Sequence, residues 1–204
     1  MKEQILGVVS AIIAGIIIMI LHELPKTIVY YAMDEEAKKV PFRNVLKLHH
    51  YIDPIGLIFC VTSFAGFSKP YMYKIKERNV NRAMGITGFL SLGILFFVNL
   101  LLLKGVFCAR VSDAGMLQGK VSGDVSLFFM NLCFHFAFLS LGMLIVNLFP
   151  IVFFDMGNLL AGTKPIMLDA FIRKDFLLKL CLLALLILGV LTQAVKTILV
   201  VLIL

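Results

Sequence analysis

Three ionisable residues interrupt an apolar run near the start of the chain: His22, Glu23 and Lys26, in the order Leu21-His22-Glu23-Leu24-Pro25-Lys26. Such groups are costly inside a bilayer, so an intramembrane cluster of them reads first as a functional site. Residues four apart on an α-helix share a face, which sets His22 and position 26 side by side. On a helix, the pattern His-Glu-x-x-His holds zinc through its two histidines and uses the glutamate as general base toward the metal-bound water. Here the final letter is Lys26. The spacing therefore points to metal-assisted peptide hydrolysis, with Glu23 as base and His22 as ligand, but with a lysine where the second ligand belongs. Counted back from Tyr31, His22 lies about 12–14 Å below the helix end. Pro25 removes one backbone hydrogen bond and is expected to kink the helix.

The elements that must position these residues are transmembrane. The chain has 204 residues, of which 61% are hydrophobic and 15% charged, and its mean hydropathy is +1.01. This composition fits a polytopic membrane protein and not a soluble globule. A span needs roughly 20 apolar residues, so the expected fold is a single all-α integral membrane domain, a bundle of about five membrane segments. Four apolar runs are long: about Ile5–Tyr31, Ala83–Phe107, Val125–Phe149 and Phe176–Leu204. Lys2 ahead of the first run imitates a secretory signal, but no small-x-small cleavage site follows, and the run reads as a retained helix. A fifth run, Ile52–Phe67, is short and opens with Asp53-Pro54-Ile55-Gly56. It either crosses with tilt or dips in and returns. Asp34–Leu48, Ser68–Arg82, Ala109–Asp124 and Asp155–Asp175 read as polar connections, and Phe176–Leu204 as packing or anchoring.

The formal charge of +7 resides mostly in these connections. That placement suits anchoring against anionic lipid, and no basic face with interleaved aromatics is present for nucleic acid. Orientation turns on the short run. If it crosses, Lys38, Lys39, Arg43 and Lys47 lie opposite Lys69, Lys74, Lys76, Arg78 and Arg82; if it returns, all share the cytoplasmic side that the positive-inside rule favours. The four cysteines (Cys60, Cys108, Cys133, Cys181) have no metal or disulfide spacing and read as free thiols. Gly85, Gly88 and Gly93 permit close helix approach, or simply reflect the abundance of glycine in membrane helices.

A partner for His22 comes late in the chain, in Asn147-Leu148-Phe149-Pro150-Ile151-Val152-Phe153-Phe154-Asp155-Met156-Gly157. This segment resembles the Asn-x-x-Pro…Asp-Gly signature of the site-2 proteases, the intramembrane zinc metalloproteases, with Met156 inserted before the glycine. The resemblance implies that Asp155 is a zinc ligand and that Asn147 lies near the substrate. Ala37-Lys38-Lys39 followed by Ile52-Asp53-Pro54-Ile55-Gly56 is similar to a stretch of the short bacterial and archaeal branch, with Tyr51 where that branch carries a histidine. Ser68-Lys69-Pro70 resembles its Ala-Lys-Pro turn. In family order these matches run over residues 22–158, the core being about 5–160 and the helix at about 176–204 an addition.

Lys26 is the departure, because catalytic zinc usually keeps three protein ligands and only His22 and Asp155 remain. His135 stands fifteen residues before Pro150, roughly 22 Å away along its helix, and His49 and His50 could reach the site only if their loop folded back. A metal-free arrangement fits the substitution physically: the Lys26 ammonium between Glu23 and Asp155 supplies the charge that zinc would, because buried charges persist when paired. The resemblance thus implies an integral membrane protein of a prokaryotic cell membrane, in contact with lipid and a transmembrane partner or substrate. It is read as a catalytically degenerate relative; an active zinc endopeptidase is the alternative. A small transporter is disfavoured, since no inverted repeat is evident.

Overall fold

A computed structural model defines the fold and describes residues 2–39, 41–70, 77–111, 117–119 and 122–203. Lys74, Lys76 and Leu204 lie outside the described residues. In chain order the helices are α1 (Lys2–Met33), α2 (Phe42–Val45), α3 (Pro54–Ser63), α4 (Arg78–Gly105), α5 (Asp124–Asn147), α6 (Asp155–Thr163), α7 (Pro165–Arg173), α8 (Asp175–Ile187) and α9 (Val190–Ile203). Single 3-10 turns form at Ala37–Lys39 and Leu48–Tyr51, and two-residue strands pair at Arg110–Val111 and Leu117–Gln118. Three helices, α1, α4 and α5, are long and apolar enough to cross a bilayer; α8 and α9 together make a fourth if the bent pair counts as one span. By length and composition, three to four helices among the described residues can cross, and the short apolar run around α3 is a further apolar segment too short to do so.

Helix α1 passes through Pro25 without a break. Its buried residues Ala11, Ala14, Ile18, Met19, His22, Glu23, Lys26, Thr27 and Tyr30 recur every three or four positions, so one stripe carries both packing and polar groups. Ala14, Ile18 and Met19 meet Cys60 of α3, Leu92 of α4, and Leu139 and Met143 of α5 in the central core. The opposite faces present Ile5, Leu90, Phe97, Leu101 and Val125, apolar surface suited to lipid. Helices α1 and α5 run parallel, since Ser10 meets His135, Ala14, Ile18 and Met19 pack with Leu139 and Met143, and His22 meets Asp155 just beyond the end of α5.

The short apolar run returns to the side it entered from. Asp53 caps α3 by accepting from Gly56 N–H at 2.8 Å, and Pro54 opens the helix. Ten residues rise about 15 Å, half of a ~30 Å hydrocarbon core. Phe64 then takes a left-handed φ of 50°, and an extended segment comes back beside α3 until Lys69 N–H reaches Tyr51 O at 3.1 Å. Gly56 makes that return possible: a Cβ there would sit 1.9 Å from Phe67 O. Entry and exit are adjacent, so Lys38, Lys39, Arg43, Lys47, Lys69, Arg78 and Arg82 gather on one side, joined by Lys164, Arg173 and Lys174 after α5. This is the arrangement in which the positive-inside rule has one basic side to act on.

Two expectations are corrected. Asp155–Asp175 is not a loop but α6 and α7, with Pro165 opening the latter. The glycines that suggested a loop lie where helices touch: a Cβ on Gly162 would fall 2.6 Å from Arg78 O on α4. Phe176–Leu204 is not one continuous helix. It breaks at Gly189, φ +69°, and bends by 62°. The break lets Thr192 Oγ donate to Ser63 O at the tip of α3, while Val195 and Leu199 pack with Phe96, Leu103 and Phe138.

Candidate functional site

The inner stripe of α1 delivers His22, Glu23 and Lys26 to one buried point, where the return segment after α3 adds Ser68 and α6 adds Asp155. His22, Lys26 and Asp155 are 0% exposed, Glu23 2% and Ser68 5%. Asp155 divides its oxygens: Oδ2 accepts from His22 Nε2 at 2.9 Å, and Oδ1 lies 2.8 Å from Lys26 Nζ. Lys26 also donates to Glu23 Oε1 at 3.0 Å. Ser68 Oγ donates to the same Glu23 oxygen at 2.8 Å and stands 2.8 Å from His22 Nδ1. The result is a closed ring in which the ammonium sits between two carboxylates and the serine links imidazole to glutamate. Full burial makes each charged contact strong and each loss of a partner costly.

The remaining framework fixes Asp155. Asn147, expected near a substrate, uses its Oδ1 to accept from Asp155 N–H at 3.3 Å and its Nδ2 to donate to Met143 O at 2.9 Å. It thereby ties the start of α6 to the end of α5 and satisfies a helix-terminal N–H. Gly157 sits where a Cβ would lie 2.1 Å from Ile151 O, which explains a glycine at this place in the turn. Across the carboxylate stands Gly88 of α4, and a Cβ there would fall 2.1 Å from Asp155 Oδ1 and 2.5 Å from Oδ2. Gly93 has open space at the same test, so Gly85 and Gly88, but not Gly93, serve helix approach. Gly88→Ala is expected to destabilise the protein by about 1–3 kcal/mol through overpacking. Thermal unfolding in detergent reads this directly; an unchanged midpoint would show that the carboxylate does not need the space.

The donor set does not fit zinc. His22 and Asp155 offer two ligands, and the place of a third is filled by an ammonium. No group of three or more His, Cys, Asp or Glu side chains placed to hold a metal occurs among the described residues. Other histidines stay away. His49 and His50 are exposed and tilt against each other at 4.3 Å. His135 contacts Ser10 Oγ at 3.1 Å and Asn131 O at 2.7 Å, toward the other end of the bundle. Tyr51 is fully buried and its hydroxyl donates to Val45 O at 2.6 Å, a role in holding the turn that leads into α3.

Two site residues were beyond reading as such from sequence. Ser68 reads there as part of a turn, because nothing in Ser-Lys-Pro shows that the chain doubles back. Gly88 reads as one of three equivalent glycines, because the neighbour that needs its space lies sixty-seven residues later. No family model matches this chain, and neither a curated protein nor a solved structure matches it.

Proposed function

We propose that the protein is a site-2 protease-like pseudoprotease of a prokaryotic cell membrane, a scaffold that binds a transmembrane partner and does not cut it. One observation carries this reading: Lys26 Nζ stands 3.0 Å from Glu23 and 2.8 Å from Asp155. A general base must be free to take a proton from water. Glu23 instead accepts from both Lys26 and Ser68. The carboxylate that would bind metal is likewise engaged by Lys26 and His22. The ammonium supplies the positive charge for which a metal is otherwise needed, so the polar cluster holds α1, α6 and the return segment together.

The convergence of His22, Glu23 and Asp155 favours a second reading, an active zinc endopeptidase completed by a ligand from elsewhere. Metal content of the purified chain, measured with cleavage of a single-span reporter, decides between the two. The pseudoprotease reading expects zinc far below one per chain and no cleavage that Glu23→Ala removes. Near-stoichiometric zinc lost in His22→Ala and Asp155→Ala, together with Glu23-dependent cleavage, would overturn it.

A further inference from the structure

Helix α9 has an apolar packed face and polar groups on its exposed face. Leu191, Val195 and Leu199 are buried against the bundle. Gln193, Ala194, Lys196 and Thr197 are exposed on the other side. Thr197 Oγ donates to the Gln193 backbone carbonyl within the helix, and the Gln193 residue itself is exposed. Beside these residues the bend at Gly189 opens a groove of about 610 Å³, lined by Leu188, Gly189, Gln193, Ala194, Thr197 and Ile198.

Lys196 is the telling residue. It precedes the end of α9 at Ile203 by seven positions, about 10 Å. Ionisable side chains in membrane helices face a bundle interior or a paired charge. Lys196 faces outward, and no ion pair involves it among the described residues. A second copy of the chain supplies no matching carboxylate from the apolar part of its spans: Glu23 and Asp155 are 2% and 0% exposed and already paired. A carboxylate carried within the span of a different chain would complement it.

We infer that the outer face of α9 docks a transmembrane helix that carries a carboxylate within its span. Lys196 pairs with that carboxylate, Gln193 hydrogen-bonds across the interface, and Gly189 and Ala194 allow the backbones to approach. The inference deepens the partner-binding part of the reading above and rests on it only for the existence of a partner. The geometry of the α9 face does not depend on the buried cluster.

The test uses the full chain, donor-labelled in zwitterionic liposomes, with acceptor-labelled Leu/Ala transmembrane peptides that differ only in one mid-span residue, Glu or Leu. Energy transfer should report roughly three- to tenfold stronger association of the Glu peptide, the range that interhelical polar contacts give in membranes. Lys196→Leu should bring the two peptides level, and Gln193→Leu should narrow the difference. Because positions 193 and 196 face outward, these variants keep the packed face of α9. Equal association of both peptides overturns the inference, as does a Glu preference that survives Lys196→Leu. So does association between copies of the chain that Lys196→Leu removes, which would make a second copy the occupant. A preference abolished by adding anionic lipid overturns it too, since Lys196 would then be reaching for headgroups. Zinc-dependent cleavage of a peptide that still prefers Lys196 would defeat the pseudoprotease reading and leave the docking face standing.

Discussion

Lys26→Met is expected to cost about 3–5 kcal/mol of stability, because removing one member of a buried ion pair strands the charges it compensated. Two carboxylates depend on this ammonium, Glu23 at 3.0 Å and Asp155 at 2.8 Å, and neither has water to turn to. The loss should show as a large drop in the unfolding midpoint in detergent, or as failure to accumulate in membranes. The double variant Lys26→Met/Asp155→Leu should recover much of the loss, since replacing both partners of a buried pair by apolar groups is often neutral. Glu23 would then keep Ser68 as donor. With the Asp155→Leu single variant added, the cycle of the two singles and the double gives the coupling energy of the pair. If Lys26→Met unfolds no more readily than the parent protein, the ammonium is not compensating buried carboxylates, and the metal-free cluster is wrong.

The contrast between Lys26 and Lys196 shows what local sequence reveals. Both lysines interrupt apolar helices, and spacing alone put Lys26 on the face of His22, so its place in a cluster with Asp155 could be expected. The stripe on α1 was legible because helical periodicity is a property of neighbours in the chain. The direction of Ile52–Phe67 was not, because it depends on Gly56 admitting Phe67 O, a contact between distant backbones. Helix α6 was hidden for the same reason. Gly157 and Gly162 weaken a helix in isolation, and only the close approach to Ile151 and α4 explains why they stand in one. The break at Gly189 escaped notice because one glycine in an apolar run is usually tolerated. What fixes it is Thr192 reaching Ser63 at the tip of α3, a partner no window of sequence contains.

The same geometry makes Lys26→His a sharp experiment on descent. The substitution removes the ammonium and places an imidazole one turn from His22 on the inner stripe, opposite Asp155. Zinc bonds of about 2.0–2.1 Å in a tetrahedron set ligand atoms about 3.3 Å apart. His22 Nε2 and Asp155 Oδ2 are now 2.9 Å apart, so a metal needs them to separate by only a few tenths of an ångström. Glu23, released from its ammonium, would lie beside the metal-bound water as a candidate base. Zinc content should rise from well below one to about one per chain, and fall again when Asp155→Ala is added. Because zinc binds only the folded chain, unfolding should shift by about 2.7 kcal/mol at a free concentration one hundred times the Kd. Cleavage of a single-span reporter, if it returns, should vanish on adding Glu23→Ala. A Lys26→His chain that takes up no more zinc than the parent would mean that position 26 never faced a metal, and would leave His22 and Asp155 as a purely structural contact between two helices.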